Sequence, residues 1–223
     1  MPKLEKQAAT IVETLKLETM PVGIKFSRNP KLKENQPKTK ICEAIALTMQ
    51  QNLMITISKE NCTCSGGRHF MGFEILPVEN LAPALAHKNH KVYQSEKTAV
   101  ASVKKQPQPA HRGDFVILGP LDKFETNPDV ILFRANPEQA DRLLGLASYK
   151  GAEPFMYYPA SSICSIIANA LAKGKPDLNL ISAFERRRGK WSENELMVAL
   201  PFKNFVTAIE SIPYSGFGRP RAS

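Results

Sequence analysis

Long apolar runs are missing from this 223-residue chain. The best, Ile163 to Ala172, is half of the ~20 residues a membrane span needs, and it contains Asn169. The opening Met1-Pro2-Lys3-Leu4-Glu5-Lys6 mixes charges and lacks the apolar core of a signal peptide. A soluble, cytoplasmic protein is expected. There is no P-loop, no nucleophile elbow, no HExxH and no GxGxxG, so the usual phosphate, hydrolase and dinucleotide signatures are absent. Only four cysteines and one tryptophan occur. Four cysteines in a cytosolic-type chain point to free thiols, metal ligands or redox chemistry rather than a disulfide framework.

What is present is ordinary for a folded protein: 43% hydrophobic and 23% charged residues, which excludes disorder. At 24.8 kDa the chain buries about 70% of the surface its unfolded form exposes, so no metal or disulfide is needed merely to fold. The net charge of +9 favours anionic partners. The excess concentrates at Lys31–Lys40, Arg186-Arg187-Arg188-Gly189-Lys190 and Arg219-Pro220-Arg221. A solvated basic surface explains it equally well, and no nucleic-acid motif accompanies it.

The chain resembles itself. Pro21-Val22-Gly23-Ile24-Lys25-Phe26-Ser27-Arg28-Asn29-Pro30 aligns with Pro128-Asp129-Val130-Ile131-Leu132-Phe133-Arg134-Ala135-Asn136-Pro137. Ile41-Cys42-Glu43-Ala44-Ile45-Ala46 aligns with Ile163-Cys164-Ser165-Ile166-Ile167-Ala168. Pro77-Val78-Glu79-Asn80 aligns with Pro201-Phe202-Lys203-Asn204. The matches are collinear, with one insertion near Leu146–Pro159 in the second copy, and collinear matches are the mark of a repeat.

Each copy reads as β-α-β-β-α. Strands are expected at Val22–Phe26 and Val130–Phe133, then helices capped by Thr39 and Ser161. Strands Leu53–Ser58 and Leu178–Ala183 follow, joined by Gly-containing hairpins to Phe73–Leu76 and Leu196–Leu200. Helices at Val78–His87 and Phe202–Ile212 close the copies. The fold class is therefore α/β (α+β): an internally duplicated unit packed as one pseudo-twofold body, preceded by a helix at about Leu4–Leu17. All of residues 1–223 form one domain, with halves at about 21–90 and 128–214 joined by a 91–127 connector carrying strands at Thr98–Val103 and Phe115–Leu118.

Chemistry is expected where this symmetry brings sulfur together. Cys42 and Cys164 stand at equivalent places in the first turn of equivalent helices, where free N–H groups and the helix dipole favour a thiolate. The plainer alternative is that both are small core residues among Ile and Ala. Asn61-Cys62-Thr63-Cys64-Ser65-Gly66-Gly67-Arg68-His69 is the most unusual segment. Cys62 and Cys64 share a strand face, Gly66 and Gly67 permit close backbone approach, and Arg68 and His69 add donors. This suits an iron–sulfur or other soft-metal site, or an anion-binding nest; a turn with two incidental thiols is the plainer reading. Metal ligation would draw on Cys42, Cys62, Cys64 and Cys164, with His69 as an alternative fourth ligand. The spacing matches no standard zinc pattern.

In the second copy Ala183-Phe184-Glu185-Arg186-Arg187-Arg188-Gly189-Lys190-Trp191 reads as a hairpin tip or an anion contact. Among the weaker candidates, His87 and His90 read as a surface helix end, and His111 as part of a turn. Tyr157 and Tyr158 lie in the insertion, where they would overhang a pocket or simply pack.

The runs Met20-Pro21-Val22-Gly23-Ile24-Lys25-Phe26, Cys42-Glu43-Ala44, Cys64-Ser65-Gly66-Gly67, Asn127-Pro128-Asp129-Val130, Asn136-Pro137-Glu138-Gln139-Ala140 and Cys164-Ser165 resemble domain-of-unknown-function family 169, a set of bacterial and archaeal cytosolic proteins. The resemblance covers about Leu15 to Ile212. It implies no activity. It does imply cysteines at the two helix starts and in the first Gly-rich loop, with a Cys-x-Gly-x-Arg segment in the second loop. Here that place reads Ala183-Phe184-Glu185-Arg186-Arg187, so the cysteine and glycine are absent, the arginine survives as Arg187, and any metal site is asymmetric.

The leading expectation is a soft-metal or iron–sulfur binding protein for electron transfer, sensing or support of a redox enzyme, with an iron–sulfur cluster or zinc as cofactor. The alternatives are a small anionic-ligand binder using Gly66, Gly67, Arg68 and Arg187, and a weak nucleic-acid binder. Expected partners are a small anionic ligand or a redox partner protein, with a homo-oligomer compatible and no membrane.

Overall fold

The computed structural model describes residues 3–28, 37–82, 93–106, 109–151 and 162–219. Its centre is a six-stranded sheet in which every neighbouring pair is antiparallel. The strands are β1 (Val22–Ser27), β2 (Ile55–Ser58), β3 (Phe115–Pro120), β4 (Val130–Ala135), β5 (Asp177–Asn179) and β6 (Leu196–Pro201), arranged β2-β3-β1-β4-β6-β5. Nine α-helices accompany them among the described residues: α1 (Lys3–Leu15), α2 (Ile41–Gln51), α3 (Ser65–Phe70), α4 (Val78–Ala82), α5 (Glu96–Lys104), α6 (Pro137–Ala147), α7 (Ile163–Lys173), α8 (Ala183–Gly189) and α9 (Phe202–Ser211). None of these helices is long and apolar enough to cross a membrane.

Helices cover both faces of the sheet, which gives three layers. Val22, Ile24, Val116, Leu118, Val130, Leu132, Met197 and Ala199 point to one face, where they pack with α2 and α7 and three of the cysteines. Ile131, Phe133, Ala135, Val198 and Leu200 point to the other, against α1, α6 and α9. Being buried on both sides, β4 and β6 read as continuous apolar runs instead of alternating ones.

The sheet order is unchanged when β1 is exchanged with β4, β3 with β6 and β2 with β5. The registers agree too. Val22 pairs with Pro120 as Val130 pairs with Pro201, and Ile55 pairs with Leu118 as Asp177 pairs with Ala199. At the middle, Gly23 faces Ile131 across the β1–β4 pair. An added Cβ at Gly23 would sit 2.6 Å from the Phe124 ring, so the close approach there requires glycine.

Several expectations need correction. Residues 73–76 form no strand; the third strand of the first half is β3, inside the presumed connector, and Pro120 rather than Pro77 holds the sheet position matching Pro201. The two presumed hairpin links are the helices α3 and α8. The stretch Thr98–Val103 lies in α5, where the Ser95 side chain caps the helix and Ala99 and Val103 are buried. The expected strand at Leu178–Ala183 is the short β5. Helix α6 was not foreseen, although Asn136 caps it, Pro137 stands in its first turn and Gln139 completes a capping box. Helix α2 begins after Lys40, not Thr39, and α7 after Ser162. Ser161, His87, His90, Tyr157 and Tyr158 lie outside the described residues.

Candidate functional site

Helices α2 and α7 carry apolar residues at helical spacing and end in left-handed residues, Asn52 at φ 54° and Gly174 at φ 63°. Each presents a buried cysteine as the second residue of its first turn, Cys42 and Cys164. The two helices pack against each other on the sheet.

The segment before α3 is tied to the start of α2. The Thr39 N–H donates to the Asn61 carbonyl at 2.9 Å, and the Thr63 N–H donates to the Thr39 carbonyl at 2.9 Å. This isolated bridge sets Thr39 beside Cys62. The Asn61 side chain stiffens the turn, accepting from the Ser58 N–H at 2.7 Å and donating to the Thr56 carbonyl at 3.2 Å. The Cys62 Sγ donates to the Cys64 carbonyl at 3.7 Å. The Cys64 Sγ caps α3 by accepting from the Gly67 N–H at 3.4 Å. An added Cβ on Gly67 would lie 3.0 Å from Ile41 Cγ1 and 3.2 Å from Cys62 Sγ, so the first turns of α2 and α3 touch only because residue 67 has no side chain.

Helix α8 completes the arrangement. Ser182 caps it, the Glu185 N–H donating to Ser182 Oγ at 3.3 Å and that hydroxyl donating to Glu185 Oε2 at 3.1 Å. Glu185 Oε1 in turn accepts the N–H of Ile163, in the first turn of α7, at 2.9 Å. Helix α3 packs on α7, and α8 on α2. The start of α2 touches α3 at Gly67, the start of α7 is tied to α8 through Glu185, and Cys42, Cys62 and Cys64 lie near enough to Cys164 to act on it electrostatically. The cap of α3 is Cys64 and the cap of α8 is Ser182.

Burial pushes the Cys164 thiol well up, and the neighbouring Cys42, Cys64, Glu185 and Cys62 push it further in the same direction. Burial also raises Cys62, against the pull of the Cys64 backbone and the Arg68 guanidinium. These two sulfurs are held as neutral thiols. All four cysteines are free; Cys42, Cys62 and Cys164 are buried and Cys64 is half-buried. The structure thus brings the four expected ligands into one neighbourhood. Among the described residues, no three His, Cys, Asp or Glu side chains are arranged to hold a metal ion.

The other expected groups are placed differently. Gly66 and Gly67 are helical residues of α3, not a loop. Arg68 forms an ion pair with Glu74 at 3.4 Å, and its Nε is buried without a partner. His69 is buried and its Nδ1 accepts from the Leu76 N–H at 3.1 Å, which holds the turn after α3; burial lowers its pKa and keeps it neutral. Arg186 spends its guanidinium on the carbonyls of Ser192, Leu180 and Glu195, the last two at 2.7 Å. Arg187 is exposed on α8. Trp191 is buried with its ring against Gly189, so this region is no solvated tip. His111 bonds the Gly72 carbonyl at 3.1 Å.

Sequence reasoning missed Ser182 and Glu185 as part of the site. Their signal was legible, since Ser-x-x-Glu is a capping-box sequence. It missed Ile181 as well, a buried β-branched residue at φ 54° just before the α8 cap. That conformation is disfavoured for such a side chain, and strain of this kind gathers at functional sites. A cavity of about 240 Å³ lined by Phe26, Phe70, Arg112, Ala168 and Leu171 opens one helical turn beyond Cys164.

Fold and site together define a mixed α/β protein whose six-stranded antiparallel sheet is covered by helices on both faces, with its cysteines on one of them. The chain belongs to the domain-of-unknown-function family DUF169, described as Uncharacterised ArCR, whose model matches residues 10–211. It is 25% identical over 223 residues to the Uncharacterized protein MJ0308 of Methanocaldococcus jannaschii, a match covering 93% of this chain and 94% of that one. No solved structure matches it.

Proposed function

We propose that the protein binds a soft metal centre through Cys42, Cys62, Cys64 and Cys164, and serves electron transfer, sensing or support of a redox enzyme in the cytoplasm. The observation that carries this reading is that all four cysteines lie in one packed cluster, with Cys42, Cys62 and Cys64 near enough to Cys164 to act on it electrostatically. Thiolates are the preferred ligands of soft metals, and helix starts favour the negative charge that thiolates bring. Neutral buried thiols are the expected resting state of such a site, because binding the metal releases their protons. Anaerobic purification followed by metal analysis tests the reading: metal retained by the wild type and lost in Cys42→Ala or Cys64→Ala supports it. A metal-free protein that takes up no soft metal when supplied with one removes it.

The paired sheet order and registers support a second element of this reading, that the two halves descend from one duplicated unit. On that view the site formed at a symmetric seam and became asymmetric when one α-helix cap held Cys64 and the other Ser182.

The buried, unpartnered Nε of Arg68 favours an alternative, a small anion seated at the start of α3 beside Gly67. A ligand present at 100 times its dissociation constant adds about 2.7 kcal/mol of stability. A thermal-shift series with phosphate and small carboxylates therefore shows it, and no shift with any of them eliminates it.

A further inference from the structure

We infer that the cavity between the end of α7 and the loop at Pro109–Gly113 binds a small carboxylic acid with an apolar body. The inference is independent of the metal-binding reading, and its site is separate from the thiols and from the start of α3.

The cavity measures about 240 Å³. One of roughly 150 Å³ accommodates a benzene molecule, so there is room here for a ring or a branched chain with a carboxylate attached. The walls suit the apolar part. Phe70, the last residue of α3, and Phe26, near the end of β1, supply aromatic side chains, and Leu171 adds an aliphatic one. Ala168 and Ala172 stand one turn apart on α7, and their short side chains leave space between that helix and the loop.

The loop forms the remaining wall, and it is pinned to its surroundings. An added Cβ on Gly72, whose φ is 75°, would lie 2.3 Å from the Ala110 carbonyl oxygen, and one on Gly113 would lie 2.5 Å from that of Ser27. Glycine at both places lets the loop press against the turn after α3 and against the end of β1. His111 Nδ1 donates to the Gly72 carbonyl at 3.1 Å, and Arg112 Nη2 to the Leu171 carbonyl at 3.2 Å. A cavity with walls fixed in this way is formed before its ligand arrives, and little ordering cost remains at binding.

The charge of the ligand follows from Arg112. Among the described residues it is the one charged side chain that lines the cavity. A guanidinium carries several N–H donors, and the Leu171 carbonyl takes only a part of them. The rest of the fork matches the geometry of a carboxylate. Asp114, two residues on, lies 3.6 Å from His111 Nε2 and does not line the cavity. A carboxylate on Arg112 lets an attached apolar body reach the aromatic and aliphatic walls. Phosphate would leave those walls without contact, and an uncharged hydrocarbon would leave the guanidinium to water.

The test titrates the full-length protein calorimetrically with phenylacetate and isovalerate, and in parallel with acetate, phosphate and benzyl alcohol. The two apolar acids are expected to bind at one site per chain, and the three controls roughly tenfold or more weakly. Two variants at exposed positions locate the site: Arg112→Gln removes the charge, and Ala172→Phe fills the cavity from α7. Both are expected to melt with the wild type in the absence of ligand, as surface substitutions do. Arg112→Gln weakens the acids roughly fivefold or more, and Ala172→Phe abolishes their binding. Failure of the wild type to bind either acid overturns the inference, as does equally tight binding of acetate or phosphate. Acid binding undiminished in both variants also overturns it, since the acids then sit elsewhere. Loss in Ala172→Phe with full affinity in Arg112→Gln makes the cavity a purely apolar one and overturns the assignment of an acid.

Discussion

Asp177 carries a pH dependence that a single residue can reveal. It is buried at the start of β5, and that burial raises its pKa above the ordinary value near 3.8, against the opposing pull of Asn169, the Leu178 N–H and Lys173. An acid whose folded pKa is raised stabilises the fold while protonated and loses that contribution as pH rises through the folded value. Asp177→Asn keeps an oxygen for the Leu178 N–H, 2.8 Å away, and has no proton to lose. Its urea midpoint is expected above the wild type at pH 7 and level with it at pH 3. A variant that is the less stable at pH 7 contradicts this. Two neighbouring arginines differ just as sharply. Arg186→Ala frees three carbonyls that the guanidinium holds together, so a loss of about 1–3 kcal/mol is expected in chemical denaturation. Arg187→Ala, on an exposed position, is expected to stay within about 0.5 kcal/mol of the wild type.

At the scale of elements, α3 approaches the first turn of α2 closely at Gly67. Gly67→Ala places a methyl against Ile41 and Cys62 in a region with no slack. Overpacking of this kind costs about 1–3 kcal/mol. The midpoint of unfolding is expected to fall with the slope unchanged, and whatever metal the wild type retains falls with it. The same contact explains why the sequence was misread here. Two consecutive glycines normally signal a turn; here the Cys64 cap and the burial of Gly66 and Gly67 make them a helix. In α5 the β-branched Thr98, Val100 and Val103 gave a strand pattern, but the Ser95 cap and the burial of Ala99 and Val103 prevailed. Helices α2 and α7 were legible because a cysteine and an apolar stripe recur together in both, each cysteine within one position of its expected place, although neither expected cap residue holds the cap position.

Strand parity was not legible. Aligning Ile24 with Ile131 looked natural, yet the two lie on opposite faces of the sheet, one packed with α2 and α7 and the other with α1, α6 and α9. Strands buried on both sides lack the polar alternation that would show the one-residue slip. For the same reason β3 was assigned to a connector: Pro77 offered a match to Pro201 that only the register of Pro120 displaces.

For the molecule as a whole, the order of the strands sets the order in which it assembles. Strands β5 and β6 are the nearest partners in sequence, β2–β3 and β4–β6 come next at similar separations, and β1 is the most distant from both its neighbours, β3 and β4. Local pairings form fast and distant ones slowly, because loop closure comes before any reward from contact. Pulse-labelling hydrogen exchange during refolding is expected to protect the β5 and β6 amides that pair with each other before those of β1; simultaneous protection would refute this. On the ribosome the polypeptide emerges in the opposite sense. Its first strand is born without either neighbour and its first three cysteines, Cys42, Cys62 and Cys64, appear long before Cys164, so those early thiols are left without their packing partners until synthesis is well advanced.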